Sequence, residues 1–371
     1  MSFDITILGS SGGPLEGITC SYILKPSYIS YKSIIEDNLS QYLIAIDAGS
    51  GLNRITEIIT NEKSNSKESI ANKILSYYED SLSIQHYIHH SISINHHYNI
   101  CTEINSSPIE LSFKILNLIN TYLISHPHLD HINGLIINSA AFHNQSNKSK
   151  LVYGLKETTE ALQKYIFNDI IWPNLIHESN GISFLDLIDI IPNESIQLNE
   201  IYKVIPFEIN HGTKQYTNLE YKSTSFLIKD LNKNQYILIF GDVESDKNSK
   251  FPKNKFIWES ISDLITTGRL KSIIIECSTP NLPDQEPRFG HLTPDSLIDE
   301  LKILQNIILN KSDTSPTPPL NGLNILITHV KENKFGKEPR KIILNELNEL
   351  NEKYNLGCQF SILLTGLTYT V

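Results

Sequence analysis

The chain has 371 residues, 40% of them apolar, with 31 Lys and Arg against 41 Asp and Glu and a formal charge of −10. No Lys/Arg run offers a polyanion a continuous track, which argues against long nucleic acid as substrate. No apolar run is long enough to span a bilayer and no apolar signal region opens the chain, so a cytoplasmic protein without a membrane partner is expected. The apolar residues are spread along the length, which suits one large α/β domain over 1–371 carrying insertions. Cys20, Cys101, Cys277 and Cys358 lie far apart without paired spacing, and read as reduced core residues.

In chain order, short aliphatic runs with the texture of buried strands stop at polar residues. Ile5–Leu8 runs into the Gly-rich Gly9–Gly13, which lacks a P-loop Lys and a full dinucleotide fingerprint and reads as a turn. Tyr42–Ile46 stops at Asp47-Ala-Gly-Ser-Gly51. Residues 61–108 change to Ser, Asn, Tyr, His and Ile without amphipathic period and read as an insertion. Thr121–Ser125 stops at His126-Pro-His-Leu-Asp-His131, Lys203–Ile209 at Asn210-His211-Gly212, and Gln235–Phe240 at Gly241-Asp242. Ser272–Ile275 stops at Glu276-Cys-Ser278 and Leu323–Thr328 at His329, with a helix over Pro294–Ile308 and a Pro-containing surface loop at 310–321 between them. Ile342, Ile343, Leu344, Leu347 and Leu350 give a helix over Glu338–Tyr354, and 359–371 is strand-like again. Strand ends gathered on one rim would bring these polar groups together.

The His126–His131 run carries the chemistry. His126 and His128, two residues apart at a strand end, can share one metal ion, while Asp130 and His131 on the following turn can reach a second. Two ions close together serve hydrolysis of a charged ester. His86, His89, His90, His96, His97, His143 and His177 lack strand-end placement and read as surface or packing residues.

His126-x-His128-x-Asp130-His131, then His211, Asp242 and His329, resemble the metal set of the metallo-β-lactamase fold in its order. The opening Ile5-Thr-Ile-Leu-Gly-Ser-Ser-Gly-Gly-Pro14, Ile275-Glu-Cys-Ser278, Phe289-Gly-His-Leu-Thr-Pro294 and Ile327-Thr-His-Val-Lys331 resemble the fungal low-affinity, class II cyclic-nucleotide phosphodiesterases. The resemblance implies an αββα sandwich of two mixed β-sheets flanked by helices. It implies two Zn²⁺ per chain, one on His126, His128 and His211, the second on Asp130, His131 and His329, with Asp242 bridging. The implied reaction is attack of zinc-bound hydroxide on 3′,5′-cyclic AMP, with cyclic GMP as a second substrate, to give the 5′-monophosphate. Glu276 and His291 match the Glu and His motifs of a proton relay to the leaving oxygen, so Asp130, Glu276 and His291 are the expected catalytic residues. Asp47 is expected to orient a ligand His, and a homodimer is expected from the family. The competing readings are a tRNA 3′-processing nuclease of the same fold, a thioester or lactam hydrolase, and a non-catalytic zinc-binding scaffold.

Overall fold

Two mixed β-sheets with their helices make up the regular structure in the computed structural model. It describes residues 2–64, 69–96, 98, 106–142, 149–176, 183–283, 286–311 and 318–371. His97, Cys101, His143, His177 and residues 312–317 of the 310–321 loop therefore lie outside the described residues. The chain divides into two units, Met1–Ile74 with Ser93–Ile191 and Leu364–Val371, and Leu75–Ile92 with Pro192–Leu363.

The first unit holds strands β1 (Phe3–Gly9), β2 (Ser21–Pro26), β3 (Ile44–Ile46), β4 (Ser93–Asn95), β5 (Thr121–Leu123), β6 (Lys150–Leu155), β7 (Leu185–Ile190) and β15 (Thr368–Thr370). They form one sheet in the order β4-β15-β1-β2-β3-β5-β6-β7. The β4-to-β3 half is antiparallel, and the pairs β3–β5, β5–β6 and β6–β7 are parallel. Parallel strands need crossovers, and the chain between β3 and β6 supplies them as helices. The helices here are α1 (Tyr31–Glu36), α2 (Leu52–Lys63), α3 (Ile70–Leu75), α4 (Pro108–Leu118), α5 (Leu129–Asn138) and α6 (Lys156–Ala161). α4 starts where the sequence allows: Ser107 and Glu110 form a reciprocal capping box ahead of Pro108 at the first turn. Ile55, Ile58, Ile59, Leu111 and Ile115 from α2 and α4 are buried in the core with Ile23 and Ala45.

The second unit holds β8 (Ile196–Gln197), β9 (Tyr202–Thr213), β10 (Glu220–Asp230), β11 (Gln235–Phe240), β12 (Leu270–Glu276), β13 (Asn324–Thr328) and β14 (Gln359–Ile362), ordered β14-β13-β12-β11-β10-β9-β8. β11 to β14 are parallel, β8 to β11 antiparallel. Helices α7 (Asn254–Thr266), α8 (Pro294–Leu309) and α9 (Pro339–Tyr354) connect the parallel strands. The uninterrupted Ile273-Ile274-Ile275 is buried throughout, as a central parallel strand covered on both faces must be.

Four boundaries differ from the sequence reading. β9 runs on through Asn210-His211-Gly212 to Thr213, so His211 lies inside a strand and not past its end. Tyr42 closes a short 3₁₀ turn, so β3 starts at Ile44. His128, with φ −68° and ψ 147°, is the N-cap of α5, so Asp130 and His131 stand on the first turn of a helix, not on a plain turn. An acidic residue there also suits the positive helix end. The strand-like 359–371 is two strands of different sheets, β14 and β15. The 61–108 stretch contributes α3 and β4, and its residues 75–92 are tied into the second unit, to which they belong: Tyr78 Oη donates to Glu332 Oε2 (2.6 Å), His89 N to Ser361 Oγ (2.8 Å) and Ser91 Oγ to Asn324 Oδ1 (2.9 Å).

Candidate active site

In the first unit the polar residues collect at the C-terminal ends of the parallel strands β3 and β5 and on the first turn of α5. Asp47, just past β3, takes a left-handed backbone (φ 50°). Its carboxylate accepts from Ser125 N (2.7 Å), Ser125 Oγ (2.8 Å) and His131 Nδ1 (2.7 Å). Because the Ser125 proton goes to Asp47, its oxygen accepts from His126 Nδ1 at 3.0 Å. One carboxylate thus orients two imidazoles, one directly and one through a serine. The ring of His126 lies 4.2 Å from that of His131 and 4.5 Å from that of His128. Asp130 Oδ2 is 3.6 Å from His131 Nε2. Close approach of the Asp47 turn to α5 depends on Gly49, where a Cβ would fall 1.9 Å from the Asp130 carbonyl oxygen.

In the second unit the chemistry gathers at the C-terminal ends of β11, β12 and β13 and within β9. His211, Asp242, Glu276 and His291 offer ligand atoms that all lie within 4.8 Å of one another. Asp242 Oδ2 is 3.2 Å from His329 Nε2 and 3.5 Å from His211 Nε2. His211 Nδ1 donates to the Gly290 carbonyl at 3.0 Å. The buried Glu276 carboxylate accepts from Val243 N (2.7 Å), Ser278 Oγ (2.5 Å) and His291 Nδ1 (3.0 Å). Ser278 in turn accepts from His329 Nδ1 at 2.9 Å. Burial pushes the Glu276 carboxyl up, but the neighbouring His291 imidazole and its hydrogen bond outweigh this and hold it below the usual carboxylate range. Glu276 is therefore an ionised, acceptor-only group. His329 sits at φ 58°, in the left-handed region.

These donor sets fit divalent metal. In His126, His131, His211 and His329 the Nδ1 atom is committed to a protein oxygen, which fixes the tautomer and leaves Nε2 as the ligand atom, the usual second layer of a metal-binding His. Asp242 adds a buried carboxylate facing two such Nε2 atoms. Among the described residues His86, His89 and His90 join no such grouping. Cys20, Cys277 and Cys358 are buried thiols. The sequence reading gave no part to Ser125 or Ser278, although each abuts a site residue in the motifs, and a hydroxyl beside a ligand His is the available signal.

Residues 33–366 match the family described as cAMP phosphodiesterases class-II. The chain belongs to that family. It is a cyclic-nucleotide phosphodiesterase, as the resemblance in its motifs implies. A 3′,5′-cyclic-nucleotide phosphodiesterase of Candida albicans is 38% identical over 436 residues, covering 100% of both chains. One of Saccharomyces cerevisiae is 35% identical over 387 residues, covering 99% of this chain and 98% of its own. The crystal structure of unliganded yeast PDE1 matches this phosphodiesterase with a TM-score of 0.85 and 32% identity, over 100% of this chain and 99% of that one. YhfI of Bacillus subtilis, a metallo-β-lactamase fold protein, matches at a TM-score of 0.52 and 12% identity over the full length of both, which shows the expected fold. Among the described residues of the phosphodiesterase, no helix is long and apolar enough to cross a membrane.

Proposed function

We propose that this phosphodiesterase opens 3′,5′-cyclic AMP and cyclic GMP at the bond to the 3′ oxygen with two zinc ions, held in the assignment the family resemblance implies. The observation that carries the reading is the paired wiring of Asp47 and Glu276, each a buried carboxylate orienting two imidazoles. Bound divalent ions in such sets bring the pKa of coordinated water toward neutrality and offset the charge on phosphate oxygens. Asp47 holds His131 directly and His126 through Ser125, so that their Nε2 atoms are presented in one orientation. Asp130 and Asp242 would supply carboxylate charge to the ions. Glu276 holds Nδ1 of His291, leaving Nε2 as the atom that hands a proton to the departing 3′ oxygen. Cyclic GMP as a second substrate, one catalytic domain over 1–371, a homodimeric state and a cytoplasmic location belong to the same reading.

The test is hydrolysis of cyclic AMP, cyclic GMP and a short RNA by purified protein, with metal content measured on the same sample and EDTA and Asp242→Ala as controls. The reading expects chelator-sensitive release of 5′-monophosphate with about two zincs per chain. Cleavage of RNA with both cyclic nucleotides left intact would overturn it, as would a zinc-loaded protein that turns over none of the three.

A further inference from the structure

Phe289 occupies a position that folding alone does not favour. Its side chain is 78% exposed, so the ring gains little from burial. Its backbone is left-handed at φ 51°, where a bulky side chain is an outlier. Gly290 follows at φ 77°, and His291 N donates to the Arg288 carbonyl at 3.1 Å. Arg288–His291 is therefore a turn with both central residues left-handed, the type I′ geometry, whose first central position prefers Asn, Asp or Gly. An exposed phenyl ring there adds strain without adding contacts. Strain retained at such a place points to a task outside the fold.

The turn is also part of the site. Gly290 accepts from His211 Nδ1 through its carbonyl, and a Cβ at Gly290 would fall 2.5 Å from the His211 carbonyl oxygen. His291 is clamped by Glu276 at 3.0 Å, and Arg288 by Asp295 at 3.0 Å. Phe289 is thus presented by an immobilised backbone, one residue from the carbonyl that orients His211 and two from the proton relay. Consecutive Cα atoms are about 3.8 Å apart, so the Phe289 backbone stands within one nucleotide's length of that of His291.

We propose that Phe289 is the stacking platform for the purine base of the cyclic nucleotide whose phosphate is processed beside His291. This rests on the proposed function of the site. Base–aromatic stacking uses the π-face and not the base edge, so the platform serves adenine and guanine alike. The rigid turn preserves affinity by removing the cost of ordering the ring on binding.

The test is steady-state kinetics of metal-loaded Phe289→Ala, Phe289→Trp and Phe289→Gly on cyclic AMP, cyclic GMP and methyl ribofuranoside 3′,5′-cyclic phosphate, which keeps the reacting diester and lacks the base. Phe289→Ala is expected to raise KM for both nucleotides about tenfold or more, the size of a lost base stack, with kcat within about twofold. Phe289→Trp restores KM, and turnover of the base-free diester changes by less than about twofold in every variant. Phe289→Gly shares the raised KM but melts no lower than wild type, because it relieves the left-handed strain. An unchanged KM in Phe289→Ala overturns the proposal. So does a parallel loss on the base-free diester, or a fall in kcat at constant KM, since either makes the turn a scaffold for His291 only. Should the base-free diester react too slowly to follow, the split between KM and kcat decides alone. A metal-loaded wild type that hydrolyses neither cyclic nucleotide would instead sink the proposed function.

Discussion

Asp47 in the first unit and Glu276 in the second are wired alike. Each follows or ends a parallel strand, and each accepts from the backbone, from one serine hydroxyl and from one imidazole, with a second imidazole reached through the serine; Glu276 takes two backbone N–H groups, Val243 and Leu292, where Asp47 takes Ser125. They differ in what the direct imidazole is mounted on. His131 stands on the first turn of α5 with a side chain 2% exposed, whereas His291 closes the Arg288–His291 turn and is 10% exposed. The shorter Asp grips a ring locked into a helix, and the longer Glu reaches a ring on a turn that can meet substrate. In the proposed mechanism the same hydrogen-bond device fixes a ligand in one unit and poises a proton donor in the other.

Glu276→Gln should separate the two uses most sharply. With the carboxylate charge gone but the serine and backbone contacts retained, kcat should fall by about 10²–10⁴, with metal content kept. Loss of metal in this variant would instead make Glu276 a second Asp47. The units differ as clearly in their buried titratable groups, and the signs are opposite. Lys150 on β6, held by the Asn117 carbonyl at 2.6 Å, is pushed down by burial to about 7, so the folded state gives up a proton earlier and stability rises with pH between about 7 and the ordinary lysine value. Glu300 on α8, held by Trp258 Nε1 at 2.7 Å, is pushed up by burial to about 7, so stability falls as pH climbs from the ordinary carboxyl value toward 7. The Lys150 slope is worth on the order of 5 kcal/mol and the Glu300 slope on the order of 3 kcal/mol. Melting profiles against pH for Lys150→Met and Glu300→Gln should each lose one slope, and a slope surviving its own substitution would rule out that assignment.

Asp47→Ala should weaken metal binding by about 10–100-fold, read by competition with a chelator, because both of its imidazoles lose their orientation. The smallest effects belong to Ser125→Ala and Ser278→Ala. Each removes a hydroxyl that makes two hydrogen bonds, each worth about 1 kcal/mol, so both should lower kcat/KM by about tenfold and by similar amounts. Clearly unequal losses would break the parallel between the two carboxylates.

The site was legible in the sequence because buried parallel strands are continuous aliphatic runs, and the chain cannot hide the change of texture where they stop. Asp47, His126, Asp242, Glu276 and His329 all stand at such stops. Strands that carry their polarity inside them were silent. β2 contains Lys25, buried only because Asp4 (2.6 Å) and the Ile29 carbonyl (2.6 Å) take its charge, and β10 opens with Glu-Tyr-Lys-Ser-Thr-Ser before its apolar end. α5 was read as a turn because its N-cap is a histidine with no side-chain bond to the helix, which leaves no capping signature. The roles of Ser125 and Ser278 depend on which partner a hydroxyl meets in space, and the left-handed backbone of Phe289 leaves no trace in composition.

Tyr78 gives the segment of altered texture an importance that its sequence conceals. Its hydroxyl joins Glu332, which with Glu338 surrounds the fully buried Arg340 guanidinium, and Glu332 lies three residues beyond His329. Asp80 meanwhile accepts from Glu338 N at 2.8 Å. Anyone shortening this enzyme toward a minimal catalyst would be drawn to cut residues 61–108 as surplus. Cutting through 75–92 would strip hydrogen bonds from an interior ion pair and slacken the loop leaving His329, so a trimmed enzyme has to keep that strap.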